Sequence, residues 1–190
     1  MFPTMAAPPR PATPIAPGLV IRPLATEAEA RACSVIMSTN EPWVTLGRTF
    51  DESYRIVRDP AREVYVAVDD VTEGEGEPSV AGFTIIVMQG AFVGYIQSIA
   101  VREDWRGRGL GTSLIAFAEE RIFRDKPNVF ICVSSFNLGA RRLYERLGYH
   151  VVGELPDFVV RGHSEILLRK TTGPLIEHGA RQAPDEPESG

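Results

Sequence analysis

The chain has 190 residues, 44% of them hydrophobic and 24% charged, proportions that suit one globular domain with a sizeable core. Its 20 Lys and Arg against 25 Asp and Glu leave a formal net charge of −5, which argues against the basic face that nucleic-acid binding requires. Cys33 and Cys132, with His150, His163 and His178, fit neither a disulfide framework nor metal-ligand spacing, and no run approaches the ~18 apolar residues of a membrane span.

Residues 1–17 are rich in Pro and Ala, and residues 178–190 are polar and Pro-bearing, so both are expected to be disordered tails around a domain at 18–177. The start also lacks the unbroken apolar stretch of a secretory leader, which with the sparse cysteines predicts a cytoplasmic protein. The segment 19–25 reads as a strand, followed by Thr26 as the N-cap of a helix to about Met37. A second short helix over 49–60 is stopped by Pro60. Strands follow at 62–70, 79–89 and 92–101, with an acidic turn at 72–78 between the first two. A helix from Leu110 presents Leu114, Phe117, Ala118 and Ile122 on one face. A strand at 128–135 leads to a helix with Ala140, Leu143, Tyr144 and Leu147 on its apolar face and Gly148 as its stop. Strands at 149–155 and 163–170 close a β-α-α-β-β-β-α-β-α-β-β order, an α/β (α+β) sandwich on one mixed sheet.

The third of these helices begins in "RGRGLGTS", where Gly107, Gly109 and Gly111 sit beside Arg106 and Arg108. A dinucleotide fingerprint needs its third glycine one residue later, and a P-loop needs a lysine that this stretch lacks. What fits is Arg-x-x-Gly-x-Gly opening a helix. Bare backbone amides at a helix N-terminus bind anions, and missing Cβ atoms let a pyrophosphate approach closely. A plain flexible Gly/Arg loop leading into a core helix remains the alternative on spacing alone.

"IQSIAVREDWRGRGLGTSLIAFAEERI" resembles the acetyl-CoA motif of the GCN5-related N-acetyltransferases (GNAT), and "NLGARRLYERLGYHVVGEL" resembles that family's second motif. "LYERLGYHVVGELPDFVV" is further similar to bacterial ribosomal-protein-alanine acetyltransferases. The resemblance implies an acyl-CoA N-acyltransferase fold with about seven strands, about four helices and a splay between strands four and five. It implies acetyl-CoA as co-substrate, while the His and Cys spacing leads to the expectation of no metal. Ile99, Ala100 and Val101 would line the pantetheine, with Ile99 and Val101 pairing through their backbone. Arg106, Gly107, Arg108, Gly109, Leu110, Gly111 and Thr112 would cradle the pyrophosphate. Asn137 would either hold the pantetheine or cap the next helix. Tyr144 stands at the family's general-acid position, beside the coenzyme sulfur, although its spacing alone marks only a core tyrosine.

The general base departs from the family pattern. Tyr95 occupies the usual strand-four Glu position, and Cys132 stands where some N-terminal acetyltransferases carry His. With ordinary pKa values of ~10 and ~8.5, neither is a base at neutral pH. Glu41, in "TNEPW", is the expected catalytic carboxylate, with Glu165 on the last strand or a water chain as alternatives; each Glu alone also reads as surface charge. Nothing near Cys132 in sequence would activate it as a nucleophile. The expected activity is direct acetyl transfer to a primary amine: a protein N-terminus, a lysine or a small molecule. The rival is a non-catalytic acyl-CoA-binding module. No nucleic-acid or membrane partner is expected, and homodimer formation is left open.

Overall fold

A computed structural model describes residues 19–69, 79–90 and 92–176. The expected tails and the acidic turn at 72–78 lie outside the described residues. Local chemistry starts the first two helices. Thr26 and Thr49 each accept the backbone N–H of the third helical residue, Glu29 or Glu52, whose carboxylate reaches back to the capping amide. These two boxes open α1 (Glu27–Thr39) and α2 (Phe50–Val57). The first strand, β1 (Leu19–Pro23), is shorter than expected, because Ala25 N–H already bonds the Glu29 carboxylate at 2.7 Å.

The remaining elements follow the expected order: β2 (Glu63–Asp69), β3 (Val80–Val87), β4 (Tyr95–Val101), α3 (Leu110–Phe123), β5 (Asn128–Ser134), α4 (Leu138–Arg146), β6 (His150–Pro156) and β7 (Ser164–Thr171). A 3-10 turn at Glu103–Trp105, not foreseen, joins β4 to α3. The seven strands form one sheet, ordered β1-β2-β3-β4-β5-β7-β6. Every neighbouring pair is antiparallel apart from β4 and β5, which run parallel.

Strand alternation sends apolar side chains to both faces. On one face Ile86, Ile96, Val129 and Ile131 pack with Leu114, Phe117 and Ile122 of α3 and Tyr144 of α4. On the other, Val66, Phe83, Ile85 and Ala100 pack with Cys33, Ile36 and Met37 of α1. The sheet is thus packed on both faces, and in its middle the β4–β5 ladder is short. Only Tyr95↔Phe130 and Ile96↔Ile131 are paired. Beyond them the strands part, and the expected splay opens in the middle of the sheet.

Candidate active site

Along β4 the splay exposes backbone rather than side chain. Arg102 N–H donates to Ala81 O at 2.9 Å, and Val101 and Ile99 stand opposite Gly82 and Thr84. Hydrogen-bonded and non-bonded pairs alternate in an antiparallel ladder, so Ala100 and Arg102 turn their backbone groups to β3. Ile99 and Val101 turn theirs to the splay. Ala100 lines the same cavity, but its backbone belongs to the β3 ladder.

At the far end of β4 the chain rises through the 3-10 turn to α3. Gly107 and Gly109 hold φ of +75° and +83°, the left-handed region where a Cβ is costly, and Gly109 is the N-cap. The first intrahelical bond runs from Ser113 N–H to Gly109 O at 3.1 Å. The amides of Leu110, Gly111 and Thr112 precede it and open to the loop. A Cβ built at Gly107 or Gly109 meets nothing within 4 Å, and one at Gly111 meets only Val101 Cγ2 at 3.8 Å. The space over the helix start is therefore a cradle that side chains would fill, and it fits a pyrophosphate. Leu110 turns only its amide toward this space, since its side chain is buried beneath α3. Arg106 Nη2 donates to Asn40 Oδ1 and Arg106 Nε to Val101 O at 3.4 Å, which holds the guanidinium at the rim. Arg108 lies over the Trp105 ring, 5.0 Å from its centroid.

A cavity of about 760 Å³ runs from this cradle through the splay to β5, β7 and the loop after α1. Tyr144 lines it from α4, only 8% exposed and edge-on to Tyr149. Burial pushes the Tyr144 phenol up to about 12. Asn137 also lines the cavity, and its Oδ1 accepts Ala140 N–H at 3.2 Å, so the capping role is realised. Glu41 stands at the outer rim. It is exposed, and its carboxylate accepts Thr45 N–H at 3.3 Å and Thr45 Oγ–H at 3.0 Å.

The floor gathers polar side chains from three strands. Glu165 of β7 is 5% exposed and lines the cavity. Its register partner on β5 is Ser134, whose Oγ–H donates to Glu165 Oε1 at 2.5 Å. Beside this pair Tyr95 of β4 and Cys132 of β5 also line the cavity. Burial raises the pKa of Tyr95, Cys132 and Glu165 alike, and for Glu165 the Ser134 hydrogen bond and His163 pull partly the other way. The cysteine is a protonated thiol at neutral pH, and the carboxyl is more basic than an ordinary one. Among the described residues no group of three or more His, Cys, Asp or Glu could hold a metal, and no helix is long and apolar enough to cross a membrane.

The profile of the acetyltransferase (GNAT) family matches residues 28–149. An uncharacterised N-acetyltransferase of Methanocaldococcus jannaschii is 37% identical over 89 residues, which span 44% of this chain and 57% of that protein. In fold, the chain matches a GNAT-family acetyltransferase structure from Desulfovibrio desulfuricans with a TM-score of 0.65 at 19% identity, covering 82% of this chain and 99% of that one. It matches an aminoglycoside 6'-N-acetyltransferase solved with coenzyme A with a TM-score of 0.63 at 18% identity, covering 82% and 98%. The chain belongs to the GNAT acetyltransferase family.

Proposed function

We propose that this GNAT-family chain transfers the acetyl group of acetyl-CoA to a primary amine by direct attack, with both substrates bound together. The observation that carries this is the β4–β5 splay, which sets unladdered backbone of Ile99 and Val101 beside a helix N-terminus built to hold a pyrophosphate. The pantetheine amides would pair with that backbone as an added strand does. A β4 amide aimed at the thioester oxygen would stabilise charge as it develops there. Arg106, Arg108 and Thr112 would surround the phosphates, and Asn137 the pantetheine. Glu41 would meet the acceptor at the rim.

Cys132 takes no covalent part in this scheme, because burial holds its thiol protonated. The similarity to ribosomal-protein-alanine acetyltransferases favours a peptide α-amine as acceptor. We further propose that the enzyme is cytoplasmic and metal-free. Thiol release from acetyl-CoA against a panel of amines and peptides tests the scheme. Intersecting initial-velocity lines and a nearly fully active Cys132→Ala variant are expected. Coenzyme binding with no transfer to any amine would instead identify a binding module.

Tyr144→Phe is expected to lower kcat by roughly 10–100-fold, at the low edge of general-acid effects. The phenol, at about 12, is too weak an acid to surrender its proton fully to a thiolate near ~8.5. Its contribution is a hydrogen bond that strengthens as the C–S bond breaks. Acetyl-CoA affinity should barely move, because the ring and its contact with Tyr149 remain. The defect should persist across the accessible pH range, since the phenol stays neutral throughout. A folded Tyr144→Phe protein with unchanged kcat, measured where chemistry limits turnover, would reduce Tyr144 to a packing residue.

A further inference from the structure

We propose that the floor of the cavity receives a monoamine with an apolar body and that Glu165 takes the proton from its ammonium group. This rests on the acetyl-transfer function proposed above. The acceptor side of the cavity is walled by Pro42, Trp43, Leu46, Phe92, Leu155 and Phe158. The cavity's charged lining is sparse: Glu41 at the exposed rim, tied to Thr45; Arg48; Arg106 at the cradle end, bonded to Asn40; and Glu165 on the floor. A single ammonium can pair with Glu165 while its hydrocarbon body lies on the apolar wall. A second or third ammonium, as in a polyamine or an aminoglycoside, would be desolvated against that wall or beside the Arg48 guanidinium, at high cost.

Elimination among the cavity's titratable groups points the same way. Glu165 faces Tyr95 from β4, Cys132 and Ser134 from β5, and His163 from the loop before β7, while β6 opposes it with Leu155. Tyr95, Cys132 and Tyr144 are all driven further from titration near neutrality. Burial moves the Glu165 carboxylate toward neutrality instead, which is where a general base works best. Ser134 positions the carboxylate, and its hydrogen bond favours the ionised form against the effect of burial. One ammonium proton passes to the Glu165 carboxylate and on to solvent. The freed amine nitrogen forms the C–N bond as the C–S bond breaks. Its second proton goes to the departing thiolate, leaving an acetamide and coenzyme A.

The test combines an acceptor panel with pH profiles. Phenethylamine and a peptide beginning with Leu should exceed spermidine and kanamycin in kcat/KM by roughly 10-fold or more. The better of the first two identifies the source, a free amine or a protein N-terminus. Glu165→Gln should lower kcat/KM by roughly 100-fold or more. It should also turn a profile that rises and then falls into one that climbs steadily with the amine's own ionisation. Ser134→Ala keeps the carboxylate but removes a hydrogen bond to its charged form, so the rising limb should move to higher pH. That shift is readable even if Glu165→Gln folds poorly. Preference for spermidine or kanamycin, or pH limbs unmoved by Ser134→Ala, would overturn the proposal and leave acetyl transfer standing. Failure of every amine to release thiol would overturn both.

Discussion

Gly111→Val is expected to abolish measurable acetyl-CoA binding in a protein that still folds. Gly111 is the second residue of α3, and its amide is one of three that open to the cradle. A Cβ there meets no atom nearer than Val101 Cγ2 at 3.8 Å, so the protein itself accepts a side chain. Valine is also no worse than glycine in a helix, so stability should stay within about 0.5 kcal/mol of wild type. The ligand has no such freedom. Two methyl groups would stand where a phosphate oxygen must reach the amides, and the dissociation constant should rise at least ~100-fold, about 2.7 kcal/mol. Gly109 makes a poorer probe, because its φ of +83° would add roughly 1–2 kcal/mol of backbone strain to any replacement. Calorimetric titration beside a melting curve separates the two effects. Unchanged affinity in folded Gly111→Val would remove the phosphate from this cradle.

Features set by neighbours in the chain were legible before any coordinates. The Thr26 cap was read from the sequence, the Thr49–Glu52 box at the same spacing was not, and the glycines that open α3 stand in pattern with the arginines beside them. The splay was available only through resemblance, since no local signal reports that a parallel ladder stops after two pairs. Glu165 shows the limit most clearly. A carboxylate in a strand is ordinarily a solvated one. This one is buried, and its hydrogen-bond partner is Ser134, 31 residues away in sequence and adjacent only through the β5–β7 register. Arg121 is a similar case. It sits on α3 as an ordinary basic residue, yet it is 7% exposed and clamps Glu63 of β2 and Asp125. Glu41 illustrates the converse, since its place at a rigid Pro-Trp loop was readable but its engagement with Thr45 was not.

Gly94→Ala should destabilise the fold by roughly 2–5 kcal/mol, the sum of ~1–2 for a left-handed backbone and ~1–3 for overpacking. The residue holds φ of +82°, and a Cβ there would lie 2.4 Å from Asn128 O and 2.6 Å from Ile122 Cγ2. The first of those atoms is backbone and cannot rotate away. Domains of this size are stable by only ~5–15 kcal/mol, so the urea midpoint should fall clearly, with an unchanged slope. The position also bears on function. Gly94 O accepts Phe130 N–H at 2.9 Å, just ahead of the two residue pairs that join β4 to β5. These contacts clamp the closed end of the splay, so forcing Asn128 away should loosen acetyl-CoA binding in whatever protein remains folded. Gly90→Ala is the control: its φ is +101°, but a Cβ there meets nothing within 4 Å. It shares the backbone cost and lacks the collision. If both variants lose the same stability, the tight contact at Gly94 is relieved without cost, and the clamp on the splay is softer than the packing around Asn128 implies.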